Sequence, residues 1–236
     1  MHILLEYKFQ NKKLNKNNCF IDILSQKLYN ICDRGDIVSE TKDKILYRIN
    51  EKNYGAFTTS DFIDIDNYKT ISKALERLED EKLILRVRRG VYCLRKYNDI
   101  LGMEESPNIN EVAKAIARQL NIIIIPSGNY SLNIVGLSTQ VPSKYVYITN
   151  GPYNEYDIGA NKIFFKHSTS REIYDLPYRI LVAIQCLKII GKENVCNKDL
   201  EKISSFLSED DKNYIKNNNL RIISWIYYEL KKVGEM

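Results

Sequence analysis

Three arginines at the turn of a short apolar ribbon form the most distinctive chemical group in this sequence. Arg86, Arg88 and Arg89 lie in the stretch ILRVRRGVYCLRKYN, residues 84–98, where apolar and cationic residues alternate up to Gly90. Such alternation is typical of a β-strand, and a glycine that can take a positive φ favours a hairpin turn at Arg89-Gly90. Guanidinium groups bind phosphate oxygens through paired hydrogen bonds. The sequence therefore predicts that the tip of this hairpin binds a polyanion.

A second cationic group lies on the helix predicted before this ribbon, over about residues 68–82. Its apolar residues recur at helical spacing and define a buried stripe, formed by Ile71, Ala74, Leu75 and Leu78. In a helix-turn-helix, the second helix enters the major groove with its outward N-terminal side chains. We therefore predict that these residues bind DNA. Lys73 and the hairpin arginines Arg86, Arg88 and Arg89 are expected to contact phosphates, and Tyr68, Lys69 and Ser72 to select bases. Arg77 and the backbone N–H of Ser60 are expected to add further contacts to the DNA.

The distribution of charge agrees with a polyanionic partner. The chain has 35 basic and 30 acidic residues, and residues 67–97 hold nine of the basic against four of the acidic ones. Subtracting these leaves 26 of each sign in the rest of the chain. An excess confined to one segment indicates a local field directed at a polyanion. The alternative is a solvated basic face without a partner.

Two aspartates resemble a metal-binding pair. Asp64-x-Asp66 has the spacing with which nucleotidyltransferases hold two Mg²⁺ ions. That chemistry requires a Gly-Ser turn upstream and a strand beneath, whereas this pair follows Thr58-Thr59-Ser60. We expect Ser60 to cap a short helix and Asp66 or Asn67 to cap the next one. Both aspartates are therefore expected to stabilise helix N-termini rather than to bind a metal.

The remaining motifs argue against a hydrolase site, a phosphate-binding loop and a metal site. Lys166-His167-Ser168, with Ser170, Arg171 and Asp175, supplies ingredients of a hydrolase but lacks a GxSxG elbow. Gly128 and Gly136 precede no GK[ST] sequence. Five cysteines without CxxC spacing and only two histidines argue against zinc and favour reduced thiols. We predict no enzyme activity, no metal and no cofactor.

The order of elements around the cationic groups predicts a winged helix-turn-helix over residues 36–98. A helix over 41–50 precedes a short strand at Phe57-Thr58, a short helix from Ser60, the helix 68–82 and the hairpin. In the hairpin, we expect Leu83, Leu85 and Val87 on one side and Ile84, Arg86 and Arg88 on the other. For residues 1–35, where the pattern turns helical around Cys19–Cys32, we expect either an extra helix of the fold or an extension outside it.

A Gly-, Pro- and Ser-containing stretch over residues 99–110 marks the predicted domain boundary. Residues 106–236 are expected to form an α/β domain that ends in a helical bundle. We predict strands at 122–125, 145–149 and 162–166, and helices at 111–120, 178–190, 197–207 and 219–233, with Ser127 capping a helix that ends near Val135. The fold class is therefore α+β. No apolar run is long enough for a membrane span and no secretory signal is evident, so we expect a cytoplasmic protein without a membrane partner.

Two stretches resemble the AbiEi-type antitoxins of bacterial abortive-infection toxin–antitoxin systems. The run SDF…ISKALERLEDEKLILRVRRGVY, residues 60–92, looks like their winged-helix segment. The run PSGNYSLNIVGLSTQVPSKYVYITNG, residues 126–151, is similar to the core of their second domain, and IFFKHS at 163–168 also fits. The matching positions of the second domain are Ser127, Gly128, Asn133, Gly136, Leu137, Ser138, Thr139 and Gln140.

This resemblance implies an antitoxin that binds inverted repeats in its own operon promoter and antagonises a companion nucleotidyltransferase toxin. It leaves open whether the two proteins touch directly. Two other readings of the sequence remain: an enzyme that modifies the toxin or a nucleotide, with Asp157, His167 and Asp175 as first candidates, and a transcription factor whose second domain senses a ligand.

Overall fold

The computed structural model describes residues 41–98, 100–168 and 176–236. The predicted helix in residues 1–35, and the side chains of Ser170, Arg171 and Asp175, lie outside the described residues. The mixed α+β class is confirmed.

The chain divides into two compact units, residues 1–116 and 117–236. The division falls within the helix Ile109–Leu120. The predicted boundary at 99–110 and the predicted domain limits stay predictions.

The first unit alternates helix and strand around one small antiparallel sheet. Its elements are α1 (Thr41–Glu51), β1 (Ala56–Thr58), a 3₁₀ turn (Thr59–Phe62), α2 (Tyr68–Asp80), β2 (Ile84–Arg88) and β3 (Val91–Leu94). The strand order is β1-β3-β2, so β3 pairs with both neighbours. The predicted order of elements from α1 to the hairpin is therefore confirmed.

The helices and the sheet of the first unit enclose one apolar core. The predicted stripe of α2 is buried there, together with Ile45, Leu46 and Ile49 of α1. Phe57 and Phe62 meet edge to face with ring centroids 5.7 Å apart, and Tyr92 stacks on Phe57 at 6.3 Å. Aromatic pairs of this kind add to the burial of their apolar area. The core thus holds α2 and the hairpin in a fixed relation.

Three local predictions in this unit are wrong. Helix α2 ends at Asp80 because Lys82 has a φ of +57°, which turns the chain into β2. Thr58, not Ser60, is the cap residue of the 3₁₀ turn Thr59–Phe62, and its N–H donates to the Asp61 carboxylate at 2.8 Å. The register of β2 shifts between Arg86 and Arg88, so the simple two-residue alternation predicted for these arginines does not hold.

The stretch predicted as a linker contains a second hairpin. Strands β4 (Tyr97–Asn98) and β5 (Met103–Glu104) pair with each other before α3 (Ile109–Leu120) begins. The Asn98 side chain organises the turn, because its Oδ1 accepts the N–H groups of Ile100 and Leu101, each at 3.1 Å.

The second unit places helices beside a four-stranded mixed sheet. Its elements are β6 (Ile124–Ser127), α4 (Asn129–Val135), β7 (Lys144–Thr149), β8 (Asn154–Ile158), β9 (Asn161–His167), α5 (Tyr178–Ile190), a 3₁₀ turn (Lys192–Asn194), α6 (Asn197–Phe206), α7 (Glu209–Asn217) and α8 (Ser224–Glu235). The strand order is β6-β7-β9-β8, with β7 and β9 parallel and the other pairs antiparallel. Residues of α5, α6, α7 and α8 share a core with Ile125 of β6.

The errors in the second unit have identifiable causes. The first strand begins at Ile124 rather than at residue 122, and the last helix begins at Ser224 rather than at residue 219. Strand β8 and helix α7 were not predicted. Strand β8 lies at the sheet edge, where a polar sequence such as NEYDI is tolerated. Helix α7 is mostly polar and depends on the Ser208–Asp211 capping pair, with Ile215 as its buried apolar anchor.

Candidate nucleic-acid interface

The start of α2 is fixed by a side-chain cap. The Asn67 side chain accepts the Thr70 N–H at 3.0 Å, which makes Tyr68 the first helical residue. Because Ile71 and Leu75 are buried on one face, the opposite face of α2 is directed at solvent. Tyr68 is 69% exposed. The base-selecting position predicted for Tyr68 is therefore accessible.

Five exposed cations form what we call the basic surface. Lys69, Lys73 and Arg77 lie on α2, Arg86 lies on β2, and Arg89 lies in the turn that follows. Within the described ranges, none of these five side chains forms a hydrogen bond or an ion pair. Lys42 of the same unit behaves differently, since it pairs with Glu81 at 2.8 Å. The basic surface therefore keeps its charge available for an external anion.

A groove borders the basic surface on the side of α1. It has a volume of about 390 Å³ and is lined by Thr41, Lys42, Lys69, Thr70, Lys73, Ala74 and Arg77. Threonine hydroxyls and lysine ammonium groups both donate hydrogen bonds to phosphate oxygens. The groove thus extends the donor-rich surface from α2 toward the start of α1.

On its other side, α2 meets the hairpin at Tyr92. Burial raises the pKa of the Tyr92 phenol, the charge of Arg86 lowers it, and the charges of Glu79 and Glu76 raise it. Arg86 is also the residue opposite Tyr92 in the β2–β3 register. Because Tyr92 is 5% exposed and packs on Phe57, the backbone that carries Arg86 is anchored to the core. The Arg86 guanidinium therefore projects from a rigid position.

The other residues predicted to contact DNA differ in how exposed they are. Ser60 is exposed on the 3₁₀ turn, Ser72 is half-buried on α2, and Arg88 is half-buried on β2. Arg88 also takes part in an interaction within the protein. We therefore base the tests of the hairpin on Arg86 and Arg89.

Both aspartates of the metal-like pair are engaged in local structure. Asp64 accepts two hydrogen bonds from Arg48, at 2.9 and 3.1 Å, in a bidentate pair. Asp66 accepts the Thr41 hydroxyl at 2.8 Å and the Asn67 N–H at 2.7 Å. The structure contains no group of three or more His, Cys, Asp or Glu residues that could hold a metal ion in the ranges it describes.

These contacts predict the titration of the two carboxyl groups. The hydrogen bonds from Arg48 lower the pKa of Asp64, and those from Thr41 and Asn67 lower the pKa of Asp66, both from an ordinary value of 3.8. A depressed folded-state pKa stabilises the fold above pH 3.8, and this contribution is lost as the pH falls through the lower folded value. Carboxyl-carbon NMR should place both midpoints below 3.8, and Arg48→Ala should raise that of Asp64 only. An unchanged Asp64 midpoint in this variant would contradict the pairing.

The positions that resemble an antitoxin motif organise the end of α4. The prediction that Ser127 caps α4 is wrong. Gly128 occupies the cap position with a φ of +62°, and the Ser127 hydroxyl donates to the Gln185 side chain at 3.2 Å. Gly136 ends the helix with a φ of +77°, and the Leu137 N–H bonds to the Leu132 carbonyl at 2.8 Å. This arrangement is a left-handed helix end of the type that favours glycine.

The loop after α4 is held by the next motif positions. The Asn133 side-chain amide donates to the Gln140 carbonyl, and the Gln140 N–H donates to the Ser138 hydroxyl at 3.2 Å. Lys202 donates to the Gly136 carbonyl at 3.0 Å. Thr139 is exposed. The motif thus has a structural role in shaping this loop.

Gly136→Ala is expected to destabilise the protein by about 1 kcal/mol. No atom lies within 4 Å of the position that a Cβ would occupy, so the cost comes from the positive φ alone. Gly136→Asn should cost less, because asparagine tolerates the left-handed region. Urea denaturation of both variants tests the order, and equal losses would show that φ does not decide it.

The described part of the hydrolase-like group does not converge. His167 contacts the Gly151 carbonyl through Nδ1 at 2.9 Å, and the Ser168 N–H donates to the Thr149 carbonyl at 2.9 Å. Lys162 pairs with Asp157 at 3.0 Å. The hydrogen bonds that the Lys162 ammonium donates to Glu155 and Asp157 raise its pKa to about 12. His167 and Asp157 thus have different partners and no shared nucleophile.

Comparison with known proteins places most of the chain in one family. A family model described as a family of unknown function, DUF6088, matches residues 44–215. The chain belongs to this family. The DUF6088 match spans α2, the hairpin and the α4 loop, so the basic surface lies within it. No curated protein matched the sequence. Among the described residues, every helix is too short or too polar to cross a bilayer.

Proposed function

We propose that residues 41–94 form a winged helix-turn-helix that binds duplex DNA through the basic surface. In this assignment α2 is the recognition helix, the 3₁₀ turn and the residues after it form the preceding turn, and β2–β3 is the wing. The observation that carries the proposal is a set of five exposed cations on α2 and at the hairpin turn that have no hydrogen-bond or ion-pair partner among the described residues.

The shape of the unit supports this assignment. A recognition helix must present one face to the groove while its other face is held by the domain core, and α2 does so with its apolar stripe buried. The wing must follow the recognition helix closely, and three residues separate α2 from β2. Arg86 and Arg89 then contact the phosphate backbone beside the groove that α2 occupies.

The electrostatics support duplex DNA over a smaller anion. Lys69, Lys73 and Arg77 follow one another along about two turns of α2, a length comparable to the width of a major groove. Each phosphate contact releases counterions and adds about 0.9 to the salt slope of binding. Phosphate contacts by Lys73, Arg77, Arg86 and Arg89 would give a steep dependence on salt.

Replacing Arg86 and Arg89 together by alanine is expected to lower the salt slope of duplex binding by about two. The measurement is fluorescence anisotropy of the full chain on a labelled duplex between 50 and 200 mM salt. The double variant Lys188→Ala with Lys198→Ala removes the same charge from exposed sites of the second unit and should leave the slope unchanged. An unchanged slope for the arginine variant would show that the wing does not contact phosphate.

We further propose that this DNA-binding protein is an antitoxin that represses its own operon and counteracts a nucleotidyltransferase toxin. This step depends on the resemblance of residues 60–92, 126–151 and 163–168 to AbiEi-type antitoxins. Co-expression with the product of the adjacent open reading frame is the test. If that product is a nucleotidyltransferase whose toxicity the chain suppresses, the proposal holds; no suppression would overturn it.

A further inference from the structure

The outward face of α2 carries two exposed carboxylates, Glu76 and Asp80, and only Glu76 lies between cations of the basic surface, after Lys73 and beside Arg77. Lys69, Lys73 and Glu76 are spaced four and three residues apart, so they form one line along the helix surface. All three side chains are exposed. Glu76 therefore lies among the groups that approach the duplex.

Glu76 is not neutralised within the protein. In the part of the chain that the structure describes, its carboxylate forms no hydrogen bond or ion pair, although Lys73 lies one turn before it. Lys73 lies one turn before Glu76 and Arg77 follows it directly, and both belong to the basic surface. A duplex docked on these two cations would therefore pass Glu76.

A carboxylate at such a position requires a hydrogen-bond donor from the DNA. Phosphates repel it, and guanine presents acceptors in the major groove. Adenine offers an amino group flanked by the N7 acceptor, which also repels a carboxylate. Cytosine offers its N4 amino group without that acceptor, and glutamate accepts from it. Resting on the proposed DNA-binding function, we infer that Glu76 is a specificity-determining residue that selects cytosine in the major groove.

The same line of residues limits where this cytosine stands. Lysine prefers guanine O6 and N7, and Lys69 lies seven residues before Glu76. At 1.5 Å per residue this separation is roughly 10 Å along the helix, or about three base-pair steps of 3.4 Å. A guanine read by Lys69 and the cytosine read by Glu76 therefore lie within about three base pairs of each other.

Selection of bound sequences from a random duplex pool tests the inference. The full-length wild type should enrich one position for cytosine by about fivefold or more over the other bases. Glu76→Gln should shift that position to adenine, because glutamine pairs with adenine N6 and N7, and should leave the other positions unchanged. Glu201→Gln removes an exposed carboxylate from α6 and should reproduce the wild-type motif.

The outcomes separate this inference from the function on which it depends. A wild-type motif that Glu76→Gln leaves unchanged would overturn the role of Glu76 while DNA binding stands. Equal strengthening of all sequences in Glu76→Gln would also overturn it, because Glu76 would then act only as a repulsive charge. If the wild type binds no duplex, both proposals fail. Circular dichroism of each variant confirms that the fold is retained.

Discussion

Replacing Lys69 and Lys73 together by alanine is expected to weaken duplex binding by roughly 10- to 100-fold at 0.1 M salt and to lower the salt slope by about one, the contribution of the Lys73 phosphate contact. Both side chains lie exposed on the outward face of α2, and neither has a hydrogen-bond or ion-pair partner in the described residues. Their charge is therefore not committed to the fold. Anisotropy titrations of the full chain at several salt concentrations give both quantities.

Two variants serve as controls for this result. Lys69→Arg with Lys73→Arg keeps the charge, so the salt slope should stay near the wild-type value even if base preference changes. Lys42→Ala removes a cation that borders the groove but already pairs with Glu81, so its effect should be smaller. If the lysine-to-alanine double variant binds as tightly as the wild type, α2 is not the element that contacts DNA.

Phe57→Ala is expected to destabilise the first unit by about 3–5 kcal/mol, a large part of the stability of a typical domain. Phe57 is fully buried on β1 and contacts the rings of Phe62 and Tyr92. Its removal leaves a cavity beside the rings of Phe62 and Tyr92, which the surrounding structure can close only in part. DNA affinity should fall as a consequence, although Phe57 has no exposed surface.

Hydrogen exchange by mass spectrometry locates this loss. Phe57→Ala should speed exchange in peptides from residues 41–94 and leave peptides of α5 and α8 protected, because the two units have separate cores. Ile63→Ala is the matched control, since Ile63 is 66% exposed and its truncation should cost little. Uniform destabilisation of the whole chain would contradict the separation of the cores.

The hydrophobic pattern of the sequence was sufficient to predict α2 and the β2–β3 hairpin, which carry the basic surface. The spacing of Ile71, Ala74, Leu75 and Leu78 gave both the helix and its buried face, and all four side chains are buried. The glycine at position 90 correctly placed the hairpin turn, with a φ of +79°. These features are local, so a window of a few residues contains the information that determines them.

The hydrophobic pattern of the sequence could not predict which side chains pair with each other in the folded protein. Arg95 and Arg86 look equivalent in sequence, yet Arg95 pairs with Glu104 of β5, while Arg86 has no ion-pair partner in the part of the chain that the structure describes. Thr58 and Ser60 are both good helix-capping residues, and the position of Asp61 decided in favour of Thr58. The shift between Arg86 and Arg88 depends on how the turn joins two paired strands. Each of these outcomes depends on a partner that a short window does not contain.

The salt dependence of duplex binding by the wild-type chain tests the central claim most directly. If Lys73, Arg77, Arg86 and Arg89 contact phosphates while Lys69 contacts a base, log K should fall linearly with log salt with a slope of about −3 to −4. Anisotropy titrations of a labelled duplex from 50 to 200 mM salt give this slope. An absence of binding at 50 mM salt, or an affinity that does not change with salt, would contradict the account.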